Sequence, residues 1–363
     1  IYGMRKKAVG LLGKTPGSKK PVAFAEDTAV PPENLADFIM EFRALLDNKG
    51  LNYGMFGHVD AGVLHVRPAL DICDPQQEIL LQEISEEVVA LVAKYGGLMW
   101  GEHGKGYRSE YGPEFFGEEL FTELRKIKAA FDPHNQMNPG KICTPLDSTE
   151  SLVAVSDTKR GFYDRQIPVN IRDSWEPAMN CNGNGLCFNY DVKSPMCPSY
   201  KVKGDRRHSP KGSAGLIREW LRLAQEQGID VAAMEQSSTS GSLQPQNGVK
   251  EDFSHEVFEV MDDCLACKAC ANQCPVNVSV PDFRARFLAL YYSRYKRPFK
   301  DHLVANVEKM APMLATFPRL VNWGQSLGVI KSFVKEQIGY VDAPLLSVPT
   351  LAQRLSRKHL HFD

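Results

Sequence analysis

No apolar run in these 363 residues approaches the roughly 18 that a membrane-spanning helix needs, and no charged-then-apolar leader opens the chain. The net charge of -1 excludes the strongly basic surface that nucleic-acid binding requires. A glycine-rich phosphate loop is also missing. A disulfide framework is disfavoured, because a chain of this length, 43% hydrophobic and 24% charged, can bury a core without staples. Its cysteines therefore point to a reducing compartment, the cytoplasm, with peripheral attachment at the inner membrane as a variant of that reading. The composition is that of a globular protein of roughly two or three domains. The first residue is Ile1, not Met, and a basic, helix-like segment is under way by Arg5, so the sequence reads as a fragment of a larger chain.

What is present is concentrated in one stretch. Cys264, Cys267, Cys270 and Cys274, followed by Pro275, have the spacing C-x2-C-x2-C-x3-C-P, the iron–sulfur run of bacterial ferredoxins. Three thiolates on a tight loop can hold three corners of a [4Fe-4S] cubane, and in such runs the fourth Cys serves the other cluster. A zinc knuckle is the competing reading, but zinc sites pair two C-x2-C units across a longer gap. Upstream, Cys181, Cys187 and Cys197-Pro198 open a second ligand set, with Asn184 at the position where a full run has its middle cysteine. A neutral amide oxygen is a poor substitute for a thiolate on iron. Cys73 and Cys143 have no comparable partners and read as buried thiols.

The N-terminal part carries a different chemistry. Pro21 to Val30 reads as extended, and Leu35, Phe38, Ile39, Phe42, Leu45 and Leu46 then fall at helical spacing, with Gly50 at a C-cap. Two β-like runs flank Asp60-Ala61-Gly62 as a hairpin, and a two-residue loop at Ala61-Gly62 would set His58 directly opposite His65, Cβ atoms about 5 Å apart. A helix follows from Asp74-Pro75 to Gly96-Gly97, and Leu98 to Trp100 is strand-like before Gly101-Glu102-His103-Gly104. Alone, either strand histidine is an ordinary strand residue and Gly-Glu-His-Gly an ordinary polar turn. Together they offer His58, His65 and Glu102 as divalent-metal ligands, with His103 as a free base beside them. Helix–hairpin–helix order makes the fold α+β.

Gly-His58 with His65, Gly-Glu102-His103-Gly, and Asp132-Pro133 with Asn138-Pro-Gly-Lys141 together resemble the C-terminal half of FAD-linked oxidases of the vanillyl-alcohol oxidase type. The resemblance covers roughly residues 1–145. It implies an antiparallel-sheet substrate domain in which His58, His65 and Glu102 bind a divalent metal, usually zinc. It further implies that His103 takes the substrate hydroxyl proton as hydride leaves for flavin, that Asn138 and Lys141 lie near the FAD, and that Arg5 binds the substrate carboxylate. The family's FAD-binding domain precedes this half and would be supplied by the missing N-terminal part of the polypeptide. Residues 146–175 lose apolar periodicity as a linker would, and residues 176–363 read as a mostly α-helical ferredoxin-like domain with a mobile insertion at about 225–250.

In helical two-cluster ferredoxin domains, three cysteines of one motif join the last cysteine of the other. By that resemblance Cys197 completes the cluster of Cys264, Cys267 and Cys270, while Cys274 joins Cys181 and Cys187. The combination resembles large bacterial FAD and iron–sulfur dehydrogenases of D-2-hydroxyglutarate. It implies oxidation of a D-2-hydroxy acid, with electrons leaving through the clusters to an external acceptor, a quinone or an electron carrier. A glycolate or D-lactate dehydrogenase of the same type is one alternative. An electron-transfer scaffold with purely structural zinc is another.

Overall fold

The computed structural model describes residues 17–240, 252–341 and 344–357. Arg5 lies outside the described residues, as does the part of the expected insertion from 241 to 251. A helix, Val231–Ser240, occupies positions where the sequence suggested an irregular insertion.

A small antiparallel sheet grows around one strand, β4. Along one edge β4 (Val63–Leu70) pairs with β3 (Tyr53–His58), and two-residue strands, β1 (Lys20–Pro21) and β2 (Thr28–Ala29), pair with its two ends. Side chains alternate between faces along a strand. Leu64, Val66 and Leu70 therefore go to one side, where they join the apolar core. That core is completed by Phe38, Phe42 and Leu46 of helix α1 (Leu35–Asn48) and Leu81, Ile84 and Val88 of helix α2 (Pro75–Lys94). Full burial of each such side chain stabilises the fold by about 1.5–3 kcal/mol. Asp74 caps α2 by accepting the Gln76 N–H at 2.9 Å, with Pro75 in the first turn, where no backbone donor is needed. Val63, His65 and Arg67 go to the opposite side of β4, which leaves that face for chemistry.

The hairpin departs from the expected register. Its connection is four residues long, a short 3₁₀ turn at Val59–Ala61 followed by Gly62 at φ +66°, so His58 pairs with Val63 and His65 with Phe56. Gly62 is required there, because a Cβ would lie 1.8 Å from the Val30 carbonyl oxygen. The two histidines are diagonal neighbours instead of a direct pair. The shift is by two positions, so both stay on one face.

After α2, Leu98 forms a single bridge to Ala29 where a strand was expected, and returns the chain to the sheet. Helix α3 (Gly112–Phe131) kinks at Gly117. Residues 146–175, expected as a linker, are packed: Val155 enters the first core, and short helices α4 (Arg160–Asp164) and α5 (Val169–Ser174) bury Asp164 and Ile171. Gly161 lies so close to the segment after β4 that a Cβ would sit 2.1 Å from the Ile72 carbonyl oxygen, and Arg165 bonds Glu78 at 2.6 Å.

A second core in the same compact unit is built by Trp175, Trp220 and Phe287, with ring centroids 5.7 and 5.1 Å apart in succession. It fixes helices α6 (Pro210–Glu226), α7 (Ser254–Asp262) and the first part of α8 (Val280–Arg294). The described residues of 289–357, together with 237–240 and 252, belong to a separate compact unit, in which Phe317, Trp323 and Val329 are exposed. Among the described residues no helix is long and apolar enough to cross a membrane.

Candidate metal centre and iron–sulfur ligands

His65 sits in the middle of β4, 5% exposed, and the other site residues gather around it. His58 presents its ring 5.6 Å from the His65 ring, nearly perpendicular to it. One oxygen of Glu102 lies 3.0 Å from His58 Nε2 and 3.4 Å from His65 Nε2. A tetrahedral ion with N and O ligands at about 2.0–2.1 Å keeps those ligands roughly 3.4 Å apart, so the three donor atoms are spaced for one zinc-sized ion. All three lie within 4.8 Å of one another.

His103 stacks on His65, ring centroids 5.1 Å apart and planes within 15°. Its Nδ1 is 3.8 Å from Glu26 Oε1 and from Asp27 Oδ1, too long for hydrogen bonds, and the side chain is about half exposed. The ring therefore lies beside His65, with about half of the side chain open to solvent.

Several residues that the sequence reading did not single out build the support. Asp27 is fully buried, at φ +68°, and its two oxygens accept the backbone N–H groups of Glu102 (2.9 Å) and His103 (2.8 Å). Glu26 accepts from Arg67 at 2.6 Å. Arg108 donates to the carbonyls of Glu26, Met99, Lys105 and Gly104, so one guanidinium gathers both ends of the Glu102 loop. Burial pulls the Arg108 pKa down, opposed by the charges of Asp27 and Glu26. The Lys105 ammonium lies over the rings of Trp100 (4.1 Å) and Phe116 (4.3 Å), and burial lowers its pKa too. The one available signal was two adjacent carboxylates, Glu26-Asp27, inside an otherwise apolar extended segment.

Asn138 and Lys141 are exposed on the loop after α3. Asp132 shapes that loop by accepting from Lys128 and from the backbone of Gln136 and Met137, and the Lys128 hydrogen bond leads in lowering its carboxyl to about 2.

In the second core, α7 delivers the run that begins at Cys264. Ala266 and Lys268 take positive φ, which winds Cys264, Cys267 and Cys270 around a tight loop. Cys197, also at positive φ, precedes the short helix Pro198–Lys203, and Ser199 Oγ donates to the Asp263 carbonyl at 2.8 Å, tying the two motifs together. Burial pushes the Cys197 thiol up to about 11, with the charges of Cys264, Cys270 and Cys187 adding to it. Thiols held protonated in this way release protons when they take iron. Among the described residues no three cysteine sulfurs lie within 4.8 Å of one another, whereas a four-thiolate zinc site holds its sulfurs roughly 3.8 Å apart.

Cys181 and Cys187 are both buried, and burial raises the Cys187 thiol pKa. Arg218, buried and paired with Asp164, donates to the Met179 and Cys181 carbonyls. The Ser279 N–H reaches the Pro177 carbonyl at 3.3 Å, which brings the chain after Cys274 alongside the Cys181 segment. Asn184 is exposed, its amide oxygen accepting the Leu186 N–H, so it holds a turn. Cys143 is buried as expected, while Cys73 is partly exposed.

Residues 1–142 match the family of FAD linked oxidases, C-terminal domain, and residues 177–278 match the 4Fe-4S dicluster domain. A D-2-hydroxyglutarate dehydrogenase of Pantoea ananatis is 61% identical over 98% of this chain and 36% of its own length; that of Escherichia coli K12 is 60% identical over the same shares. A D-lactate dehydrogenase of Archaeoglobus fulgidus is 31% identical over 36% of this chain and 29% of its own. The chain thus spans about a third of the length of the first two relatives.

Proposed function

We propose, for a chain that carries an FAD-linked oxidase C-terminal domain followed by a 4Fe-4S dicluster domain, that it forms the metal-binding and electron-relay part of a dehydrogenase converting D-2-hydroxyglutarate to the 2-oxo acid. The observation that supports this best is the convergence of His58, His65 and Glu102, with His103 beside them, in a chain about 60% identical throughout to D-2-hydroxyglutarate dehydrogenases. Glycolate and D-lactate chemistry has weaker support, since such relatives align with only 33–41% of the chain.

His58, His65 and Glu102 hold a divalent ion, zinc in the first instance, and leave one side open for the substrate. When bound, the ion supplies polarisation of the substrate's hydroxyl and carboxylate, the flavin a hydride acceptor, and the clusters a path for electrons. His103 receives the hydroxyl proton as C2 gives up its hydride, and its exposed edge passes that proton to water. Asn138 and Lys141, exposed on their loop, would contribute to holding the flavin. Arg5 remains the proposed partner of the substrate carboxylate. Cys197, Cys264, Cys267 and Cys270 ligate one cluster, and Cys181, Cys187 and Cys274 a second. The FAD-binding domain belongs to the same polypeptide, the acceptor is a quinone or an electron carrier, and the free thiols suit the cytoplasm.

Dye-linked activity of the complete protein across D- and L-2-hydroxy acids tests this. The D isomers should react, with the highest kcat/KM for D-2-hydroxyglutarate. Turnover restricted to L isomers, or none with any 2-hydroxy acid, rejects the proposal.

A further inference from the structure

Asp27, His65 and His103 form a second trio whose ligand atoms lie within 4.8 Å of one another, and this trio shares His65 with the first. Two features argue against a second ion there. Both Asp27 oxygens already accept backbone N–H groups, and the residue is fully buried, so an ion would have no open position. The His65 Nδ1 atom, by contrast, is buried and has no hydrogen-bond partner. A metal-bound imidazole almost always directs its second nitrogen at a carboxylate, a carbonyl or water, which fixes its tautomer and its aim.

We infer that Asp27 is the positioning residue of the metal centre, one carboxylate that sets all three groups around it. It fixes the Glu102 backbone and so the approach of that ligand. It fixes the His103 backbone and so the place of the base. An oxygen of Asp27 also lies within 4.8 Å of a His65 ring nitrogen, so the same carboxylate borders that imidazole. The backbone supports this use of the residue: Asp27 holds φ +68°, its N–H donates to the Leu64 carbonyl, and its own carbonyl accepts the Gly101 N–H. A non-glycine residue kept in that region is held by its surroundings. Among the described residues no other carboxylate accepts from these two N–H groups, and Glu26 is engaged by Arg67.

The inference rests on the metal reading proposed above, and the test separates the two. Zinc affinity of the complete protein is measured by chelator competition for wild type and Asp27→Asn, together with the visible spectrum of the cobalt-substituted forms and thermal unfolding of the metal-free forms. Asp27→Asn should bind zinc roughly 10- to 100-fold more weakly and shift the cobalt bands, as expected on losing an outer-shell carboxylate. Equal affinity and an unchanged spectrum overturn the inference and leave the metal site standing. A wild type that takes up no zinc removes both. If Asp27→Asn does not fold, hydrogen exchange on metal-free wild type decides: slow exchange at Glu102 and His103 supports a clamp that precedes the metal, and exchange at open-loop rates overturns it.

Discussion

At the scale of single residues, the site separates holding from reacting. His65 is buried in the strand and Glu102 is clipped through its backbone, whereas His103 keeps half its side chain open and makes no hydrogen bond through its ring. Replacing it should therefore disturb the reaction and little else. His103→Ala in the complete protein should slow substrate-driven flavin reduction by roughly 100-fold or more while zinc and iron contents stay at wild-type levels, measured by stopped flow and elemental analysis. An unchanged reduction rate would assign the proton to another group. The residue-level reading also shows what a sequence conceals. Glu102 and His103 stand out through their flanking glycines, but Asp27 acts through N–H groups 75 and 76 positions away and leaves no spacing to detect.

At the scale of elements, β4 has two faces with different duties, and the hairpin turn decides which side chains reach each. The common face of His58 and His65 was legible because their separation in the hairpin has the right parity. The register was not legible, because a four-residue turn and a two-residue turn around Asp60-Ala61-Gly62 give the same faces and different partners. Gly62→Ala tests how tightly the turn is held. A Cβ at positive φ costs about 1–2 kcal/mol before any clash, and here it also meets the Val30 carbonyl oxygen. Denaturant titration should show a loss of at least about 2 kcal/mol, with weaker zinc binding, because His58 ends the strand that the turn positions. The packed 146–175 segment was missed for a similar local reason: helices of five and six residues are too short to display an apolar stripe.

At the scale of the whole molecule, the β4 histidines and both cysteine motifs lie in one compact unit. The Cys264 run was legible from spacing alone. The second set was legible too, as Cys181, Cys187 and Cys197-Pro198, with Asn184 where a full run has its middle cysteine, and the structure turns that amide into a loop bond to Leu186. If Cys181, Cys187 and Cys274 carry a three-thiolate cluster, anaerobically purified complete protein should contain more than four irons, and Asn184→Cys should change its EPR spectrum after reconstitution. A single four-iron signal, identical in the variant, would mark an abandoned site. Gly161 packs against Ile72 just beyond the end of β4. One turn of helix farther on, Asp164 holds Arg218, and Arg218 holds the Cys181 carbonyl. The spacing between the end of β4 and the Cys181 segment is thus set by a chain of close packing and not by the length of a tether. A methyl group added at Gly161 would meet the Ile72 carbonyl oxygen at 2.1 Å and push the two ends of that chain apart.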